Sequence, residues 1–341
     1  MNRGDLIERL HRLLDEQLRP LVMADYVLLD CPYHANIGDT LIWEGELAFL
    51  KNLPHRMLAY GSMSTWLFPR LKPGTVILLH GGGNFGDLWP GVQDFRLRVI
   101  ETYPDHPIVI FPQTVHYRDS QRSLADAERM ARHPNLTICA RDRRSYAYLE
   151  THFRNRLLLL PDMAFCIPPE RLMRYACHPV RQEPLWLKRT DQELGSAERP
   201  VGLAASVLPH DWPTLDRRTC ATWWVYKLSG VCDRLSRYSW GRTLARGCAR
   251  WADIMAFRNL RPGNVRTGVR FLTQYGALYT TRLHGAILGI LLHKKEIVLI
   301  DNNYGKNSSF YETWLQEMPS VRLERPVSAS SATPTSSDVR L

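Results

Sequence analysis

Long apolar runs are missing from this sequence. The longest, AILGILL at 286–292, is much shorter than the roughly 20 residues that a membrane-spanning helix requires. The first twenty residues, MNRGDLIERLHRLLDEQLRP, also lack the apolar centre of a secretion signal, and their leucines instead fit one face of an amphipathic helix. These absences predict that the chain stays in the cytoplasm.

Cysteine pairs are missing as well. The chain has 7 cysteines, an odd number, and no two of them form a CxxC pair. This pattern argues against a disulfide framework and against a cysteine metal site. Cys31, Cys139 and Cys166 each follow an apolar run, so we expect them to be small, buried core residues.

Acidic residues are too few to balance the basic ones. The sequence has 44 lysines and arginines against 34 aspartates and glutamates, which gives a formal charge of +10. Such an excess indicates an anionic partner, which could be a nucleic acid, a phospholipid surface or a phosphorylated substrate. The hydrophobic content of 45% and the length of 341 residues are typical of a folded protein with two globular units.

Short apolar runs alternate with segments of helical spacing along the chain. This alternation predicts an α/β fold with two Rossmann-like, doubly wound domains that face a cleft. The predicted strands are YVLLDC (26–31), TVILLH (75–80), PIVIFPQT (107–114), LTICA (136–140), LLLLP (157–161), LWLKR (185–189), VGLAAS (201–206), ALYTT (277–281) and EIVLID (296–301). The predicted helices cover 39–53, 95–103, 120–133, 142–153, 219–238, 242–257 and 266–275, with shorter ones after His284 and around 306–317.

Proline divides the chain near its middle. Five prolines fall between 161 and 184, which is typical of a hinge between domains. We therefore predict an N-terminal Rossmann-like domain over 1–165, a proline-rich hinge over 166–183 and a C-terminal Rossmann-like domain over 184–325. Residues 326–341 are rich in Ser, Thr, Ala and Pro, so we expect a disordered tail there.

A glycine-rich segment, HGGGNFGD at 80–87, directly follows a predicted strand. Because Gly81, Gly82 and Gly83 have no Cβ, the backbone there can approach a ligand closely and point its N–H groups inward, with Asn84 beside them. The spacing also matches a dinucleotide-binding motif, which requires an immediate helix and an acidic residue at the end of the next strand. Neither is predicted here, so dinucleotide binding is disfavoured, and a tight turn without a ligand is the alternative to a ligand site.

The segment HANIGD at 34–39 also follows a predicted strand. Gly38 suits a turn, and Asp39 can cap the helix that follows. His34 and Asn36 lie at the carboxyl end of a parallel strand, which is where α/β sheets bind their ligands. We therefore take His34, Asn36 and Asp39 as candidate residues of the acceptor site or the cleft.

The segment TTRLHGAILG at 280–289 begins where a strand ends and an apolar helix starts. If 282–284 is still extended, Arg282 and His284 share one face and converge beside a helix N-terminus that attracts anions. A capping histidine and a salt-bridged arginine are the simpler alternative. Arg141 and Lys306 follow two other predicted strands, so the four positions together predict a cationic cleft.

Residues 227–270 carry ten basic and two acidic side chains, which is +8 of the total charge. Trp240, Leu244, Cys248 and Trp251 repeat at helical spacing, and a stripe of arginines lies beside them, at Arg242, Arg246 and Arg250. Such a helix could lie on an anionic membrane surface, at the inner face of the cell membrane. A solvated face over a tryptophan-containing core is the alternative. The sequence has no nucleic-acid-binding motif, so we expect no nucleic acid partner.

In their order and spacing these motifs resemble the polysaccharide pyruvyl transferases, bacterial enzymes that add pyruvate ketals to sugars of exopolysaccharides or cell walls. The resemblance runs from about residue 26 to residue 315 and rests on HANIGD, HGGGNFGD, FPQT, ARD, LPDMAF, LKRTDQE, TTRLHG and DNNYGKNSSFYETW. It implies two facing Rossmann-like domains of the GT-B kind. It also implies phosphoenolpyruvate as co-substrate, with no other cofactor and no metal.

The family resemblance further implies roles for residues of this chain. His284 becomes the general acid and base, while Arg282 and Arg141 grip phosphate or carboxylate. The predicted donor site is completed by Gly81, Gly82, Gly83, Asn84 and Lys306. One departure is Thr281, where many relatives have an acidic residue. The implied reaction transfers pyruvate to a sugar of a lipid-linked oligosaccharide or polysaccharide and releases phosphate, and a nucleotide-sugar-dependent glycosyltransferase of the same fold is the alternative.

Overall fold

The first half of the chain forms a parallel sheet of seven strands. The computed structural model describes residues 3–178, 181, 183–190, 199–216, 219–301 and 305–325. The strands of this sheet are β1 (Tyr26–Leu29), β2 (Met57–Gly61), β3 (Val76–Leu79), β4 (Gly82–Gly86), β5 (Ile108–His116), β6 (Leu136–Ala140) and β7 (Arg156–Leu159). Their order is β2-β1-β3-β5-β6-β7, and β4 pairs with the far end of β5. β1, β3 and β6 are buried along their whole length, as expected for strands covered on both faces.

The second half forms a smaller parallel sheet. Its five strands in the described residues are β8 (Leu185–Leu187), β9 (Pro209–His210), β10 (Ala277–Thr280), β11 (Glu296–Ile300) and β12 (Val321–Glu324). They are arranged in the order β12-β11-β10-β8-β9, and every pair is parallel. Both sheets therefore present the carboxyl ends of their strands as one edge each, which is the usual position of a ligand site in α/β folds.

Helices alternate with these strands. They are α1 (Arg3–Leu18), α2 (Ile37–Leu50), α3 (Pro90–Thr102), α4 (Ser120–Ala131), α5 (Arg143–His152), α6 (Pro169–Met173), α7 (Pro213–Asp216), α8 (Cys220–Ser236), α9 (Arg242–Met255), α10 (Arg261–Thr273), α11 (Leu283–Leu291) and α12 (Lys306–Phe310). Short 3₁₀ segments lie at Arg19–Leu21, Met163–Cys166 and Ser239–Gly241, and π-helical turns lie at Ala256–Leu260 and Tyr311–Leu315. Within the described ranges, no helix is both long and apolar enough to cross a membrane.

A continuous apolar core joins the two sheets. The leucines of α1 that recur at helical spacing are buried, as the sequence predicts, at Leu6, Leu10, Leu14 and Leu18. α2 is buried almost all round, and α10 crosses it so closely that a Cβ on Gly268 would lie 2.7 Å from Cγ2 of Ile37. Cys31, Cys139 and Cys166 are buried, which confirms their predicted place in the core.

A buried ion pair also connects the halves. Glu44 on α2 accepts a hydrogen bond from Arg261 on α10, and Arg171 lies 2.6 Å from its other oxygen. The Arg261 guanidinium lies over the rings of Trp43 and Phe257 as well. Two cations therefore offset the cost of burying one carboxylate, and they hold the start of α10 against α2.

Most predicted elements are confirmed, but the strand predicted at 201–206 is wrong. Those residues form turns, because Pro200 limits the backbone before them and Gly202 adopts a φ of 81°. The glycine-rich segment also differs from its prediction, since it forms strand β4. Gly86 allows the close pairing with β5, because a Cβ there would lie 1.9 Å from the carbonyl oxygen of His116.

The division into 1–165, 166–183 and 184–325 stays a prediction. The predicted hinge contains 179, 180 and 182, which lie outside the described residues, and so does the whole predicted tail at 326–341. The described part of the hinge contains the 3₁₀ end at Cys166 and helix α6.

Candidate active site

A cavity of about 470 Å³ lies at the carboxyl ends of strands from both sheets. Nine of the eleven predicted site residues line it: His34, Asn36, Asp39, Gly83, Asn84, Arg141, Arg282, His284 and Lys306. They follow β1, β6, β10 and β11 or belong to β4, so residues distant in the sequence are brought together by the convergence of parallel strand ends. Gly81 and Gly82 are not among the residues that line the cavity.

His284 and Arg141 meet at one buried carboxylate, Asp162. Oδ2 of Asp162 accepts from Nη1 of Arg141 at 2.8 Å and lies 3.2 Å from Nε2 of His284. Its Oδ1 accepts from the backbone N–H of Ala164 at 3.0 Å. Burial alone would raise the pKa of Asp162, but His284 and Arg141 outweigh it and hold that pKa well below its ordinary value. Asp162 is therefore an anion throughout the physiological range.

The ionised Asp162 determines which nitrogen of His284 is available for chemistry. A carboxylate can only accept, so Nε2 of His284 is the protonated nitrogen that donates to it. Nδ1 is then the nitrogen that can take or give a proton, and it lies on the side of Gly38, 2.9 Å from where a Cβ on that glycine would be. This is the carboxylate–imidazole arrangement by which enzymes orient a general base.

The far end of Arg141 is a hydrogen-bond donor without an acceptor. The side chain is fully buried: Nε donates to Thr114 at 2.8 Å and Nη1 to Asp162, but Nη2 has no partner within the described residues. A Cβ on Gly83 would lie 3.1 Å from this Nη2 and 2.5 Å from Nζ of Lys306. The missing side chain of Gly83 thus leaves a small space between two cationic groups, which suits an anionic oxygen.

Arg282 makes its principal contacts with the protein itself. Its Nε donates to Oδ1 of Asp211 and its Nη2 donates to Oδ2 at 2.6 Å, a bidentate pair that is almost completely buried. Burial works against the charge of Asp211, but the Arg282 bonds lower its pKa overall. Thr190 also donates to Asp211, through its backbone N–H and its hydroxyl, both at 2.9 Å. The salt-bridged alternative for Arg282 is therefore correct for two of its nitrogens.

The two helices that begin at the cavity differ from the predictions in detail. Arg282 is the extended N-cap of α11 with a φ of −96°, and the helix begins at Leu283, so the premise that 282–284 is extended is wrong. Arg282 and His284 nevertheless line the same cavity. At α2 the cap is Asn36, whose side chain accepts from the N–H of Gly38 at 3.0 Å, and the predicted cap Asp39 lies in the first turn. Asn36 Nδ2 donates to Asp39 at 2.8 Å.

His34 and Asp39 form a second, partly exposed pair at the cavity wall. Their Nε2 and Oδ2 atoms are 3.5 Å apart. Burial lowers the pKa of His34 although Asp39 opposes this, while the pKa of Asp39 is lowered by His34, His284 and Lys306 in spite of its burial. Asp39 thus remains ionised near the cationic end of the cavity, where it can accept a hydrogen bond from a hydroxyl group.

Buried polar residues hold the glycine-rich segment from behind. The N–H of Gly81 donates to Oε1 of Glu46 at 2.8 Å, so this amide, predicted to bind the donor, is used inside the protein. The other oxygen of Glu46 lies 2.9 Å from Nδ1 of His80. Asn84 accepts from Nη2 of Arg96 at 2.9 Å, and Arg96 also lies 3.6 Å from Asp30. Burial raises the pKa of Asp30 to about 6 despite this arginine.

Several residues of the site were missed by the sequence reasoning. Asp162 belongs to the LPDMAF motif, and Arg189 and Thr190 belong to the LKRTDQE motif, so both motifs carried a signal for the site. Residues 191–193 of the second motif lie outside the described residues. Asp211 and Trp212 belong to no motif, and their contacts with the site join residues far apart in the chain. Thr281, the departure from the family pattern, accepts a hydrogen bond from the N–H of Arg189 through its hydroxyl at 2.9 Å.

The chain is similar to known proteins along most of its length. Residues 36–303 match the family model for polysaccharide pyruvyl transferase. A protein of Bacillus subtilis (strain 168), EpsO, which is provisionally named a pyruvyl transferase, is 34% identical over 333 residues, covering 93% of each chain. Pyruvyl transferase 1 of Schizosaccharomyces pombe is 28% identical and covers 84% of this chain and 69% of its own length.

A solved structure shares the fold. The crystal structure of a functionally uncharacterised protein from Klebsiella pneumoniae subsp. pneumoniae superposes with a TM-score of 0.58 and covers 92% of this chain and 98% of its own. Its sequence identity of 18% shows the shared fold alone. Together with the match over 36–303 and the 34% identity to EpsO, the conclusion is plain: this chain is a transferase that belongs to the polysaccharide pyruvyl transferase family.

Proposed function

We propose that the protein transfers the pyruvyl group of phosphoenolpyruvate to a sugar of a bacterial exopolysaccharide repeat unit and forms a pyruvate ketal. The family membership supports pyruvyl transfer, and the cavity supports a small donor with two anionic groups. Cationic residues from both halves, Arg141, Arg282 and Lys306, line a space of about 470 Å³, which is enough for phosphoenolpyruvate beside one sugar ring.

The proposed reaction balances with residues of this chain and no further reagent. A proton adds to the methylene carbon of phosphoenolpyruvate, which becomes a methyl group, and a sugar hydroxyl attacks the neighbouring carbon. A second hydroxyl of the same sugar then attacks that same carbon, and the bond between this carbon and the phosphate oxygen breaks. Of the two hydroxyl protons, one balances the proton on the methyl group and the other leaves with inorganic phosphate.

His284 would move these protons. Its Nδ1 is the available nitrogen because Nε2 is directed at Asp162, 3.2 Å away. Asp162 also stabilises the imidazolium form after His284 has taken a proton, as a buried carboxylate does in other dyads. Asp39, on the same cavity, can orient a sugar hydroxyl by accepting its hydrogen bond.

One observation carries the donor site: the buried Nη2 of Arg141 has no acceptor in the described chain and lies beside the space left by Gly83 and beside Lys306. An unpaired buried guanidinium donor is costly, so it indicates that an anionic ligand completes it. We assign the phosphate of the donor to this space. Arg282, held by Asp211, and the first turn of α11 would meet the carboxylate.

The test is an incubation of the purified protein with phosphoenolpyruvate and a lipid-linked glycan extract. We expect release of inorganic phosphate and a mass increase of the glycan that equals one pyruvate minus one water. A nucleotide-sugar-dependent glycosyltransferase would instead release a nucleoside diphosphate from a nucleotide sugar. The proposal fails if phosphoenolpyruvate yields no phosphate while a nucleotide sugar is consumed.

The finer points of fold and location belong to the same proposal. Two parallel sheets with the cavity at their strand ends support a GT-B-like arrangement of Rossmann-like halves. We propose a cytoplasmic enzyme that acts on a lipid-linked oligosaccharide before the polysaccharide is exported, because phosphoenolpyruvate is a cytoplasmic metabolite. We propose no metal or other cofactor for the reaction.

A further inference from the structure

Helices α8 and α9 form a hairpin whose outer surface carries large apolar side chains in contact with water. Trp240 and Trp251 are 70% and 63% exposed, and Leu244 between them is 60% exposed. With three exposed side chains of α8 they form the surface that we call the hairpin face: Trp223, Trp224, Val231, Trp240, Leu244 and Trp251. Isolated exposed apolar residues are ordinary, but six on one hairpin indicate a docking surface.

These side chains are not required by the packing of the hairpin. α9 instead packs against α8 through small residues, because Ala245 and Ala249 form a buried cluster with Cys232. The alternative that the tryptophans form a core under a solvated face is therefore wrong for Trp240 and Trp251. Exposure of an indole ring is unfavourable in water, so the hairpin face is best explained by a partner that covers it.

Cations lie beside the hairpin face on α8 and in a groove along α9. The ammonium group of Lys227 lies 5.5 Å from the ring centre of Trp223. Arg242, Arg246 and Arg250 line a groove of about 1000 Å³ between α9 and residues 58–70. Arg70 and Arg98 line the same groove from the first half of the chain, and two acidic residues, Asp233 and Asp253, only partly offset the five arginines.

The combination of exposed apolar side chains with a groove of arginines distinguishes between three kinds of partner: a second copy of the chain, a nucleic acid and a lipid bilayer. In a symmetric dimer the same patch faces itself, so the arginines of one copy would oppose those of the other. A nucleic acid could stack its bases on the four indole rings, but it would leave the aliphatic side chains of Val231 and Leu244 without an apolar partner. A lipid bilayer suits all components, since indole rings and aliphatic side chains enter the headgroup layer while arginines bind lipid phosphates.

We propose that the hairpin face and the arginine groove dock the protein on an anionic membrane surface. The inference goes beyond the proposed reaction and does not depend on it. The docked hairpin would lie near the cavity, because α7 joins α8 in sequence and contains Leu215, which lines the cavity. In addition, the hydroxyl of Tyr33 donates to Asp253 on α9 at 2.8 Å, next to His34 of the site.

The experiment measures cosedimentation of the whole protein with phosphatidylcholine vesicles, with and without phosphatidylglycerol. We expect binding to the anionic vesicles that weakens with salt but keeps a salt-resistant part, because only the arginine contribution is screened. The variant Arg242→Glu/Arg246→Glu/Arg250→Glu should bind at least about 100-fold more weakly, since each basic residue near such a surface contributes on the order of five-fold.

Two matched controls separate docking from general effects. Arg118→Glu/Arg132→Glu/Arg154→Glu makes the same change in net charge at exposed positions outside the hairpin, and it should weaken binding far less. Trp240→Ala/Leu244→Ala/Trp251→Ala should remove the salt-resistant part, whereas Met23→Ala/Leu208→Ala, which also removes exposed apolar side chains, should not. Circular dichroism of each variant shows whether the fold is kept.

Three results would overturn the proposal. One is equal loss of vesicle binding in the hairpin arginine variant and in its control. Another is sedimentation of the protein as a dimer that the tryptophan variant converts to a monomer. The third is binding to single-stranded DNA of mixed sequence at a protein concentration at which anionic vesicles are not bound. Failure of the pyruvyl transfer assay would leave vesicle binding unchanged.

Discussion

Asp162 and His284 are in direct contact although 122 residues separate them in the chain, with Oδ2 and Nε2 3.2 Å apart. Asp162 follows β7, the last strand of the first sheet, and His284 lies in the first turn of α11, which follows β10 of the second sheet. The pair therefore exists only when both halves are folded against each other. This contact makes the proposed general base a property of the whole molecule.

The first prediction concerns this pair. Asp162→Asn keeps the shape of the side chain but loses the charge that orients and stabilises the imidazole, so kcat should fall by about 100-fold or more. His284→Ala should lose at least as much turnover while it still binds phosphoenolpyruvate, as measured by titration calorimetry. If the two residues act as a unit, the double variant should be little worse than His284→Ala alone. Multiplied losses in the double variant would contradict the dyad.

The second prediction concerns the pair of Arg282 with Asp211. Arg282→Lys keeps the charge but cannot make both bonds to the carboxylate, so the KM for phosphoenolpyruvate should rise by about 10-fold or more. The matched control is Arg270→Lys on the exposed side of α10, which should leave KM unchanged. Steady-state kinetics of both variants decide the point, and equal KM values would remove Arg282 from the donor site.

The third prediction tests the space beside Arg141. Gly83→Ala places a methyl group 2.5 Å from Lys306 Nζ and 3.1 Å from Arg141 Nη2, where the proposed phosphate binds. We expect a higher KM for phosphoenolpyruvate with an unchanged unfolding midpoint, because the end of a lysine side chain can move aside. Gly263→Ala, where an added Cβ meets nothing within 4 Å, is the control. An unaltered KM in Gly83→Ala would place the phosphate elsewhere.

The fourth prediction concerns stability. A Cβ on Gly45 would lie 1.9 Å from the carbonyl oxygen of Met163, so Gly45→Ala must separate α2 from the 3₁₀ segment that carries Asp162. The free energy of unfolding should fall by about 3 kcal/mol or more. Gly230→Ala in the middle of α8 meets nothing within 4 Å and should instead raise it by about 0.5–1 kcal/mol. Urea unfolding of the two variants checks both signs.

The fifth prediction follows from the buried pair of His80 with Glu46. Burial alone would lower the pKa of His80, but the charge and hydrogen bond of Glu46 raise it overall. A raised histidine pKa stabilises the fold fully below the unfolded value of about 6.5, and this contribution is lost as the pH rises through the folded pKa. The stability difference between the wild type and Glu46→Gln should therefore shrink as the pH rises above about 6.5. A difference that does not change over this range would show that the imidazole is neutral in the fold.

The positions of most site residues could be predicted from the sequence, because parallel strands end at one edge of a sheet. His34, Arg141 and Lys306 follow strands that are plain from their apolar runs, so their convergence needs only the strand order. The same reasoning placed Arg282 and His284 together on a wrong premise, since the chain becomes helical at Leu283.

The partners of these residues could not be predicted in the same way. Asp211 meets Arg282 across 71 residues, and Asp162 meets Arg141 across 21. Each pair joins residues that follow two strands of the same sheet, and which side chains meet there depends on strand order and side-chain direction, which apolar periodicity does not specify. β4 was missed for a related reason, because its glycines have little intrinsic strand preference and pair only where β5 extends beyond β3.

That extension of β5 has a consequence for how a ligand is received. β5 pairs with β3 at Ile108–Ile110 and with β4 at Gln113–His116, so the glycine-rich segment is hydrogen-bonded into the sheet beyond the end of β3. A segment with this composition would otherwise sample many conformations, and binding would have to order it at an entropic cost. Here the segment is already ordered when the protein folds, so the backbone at Gly83 is preorganised and ligand binding does not have to order it.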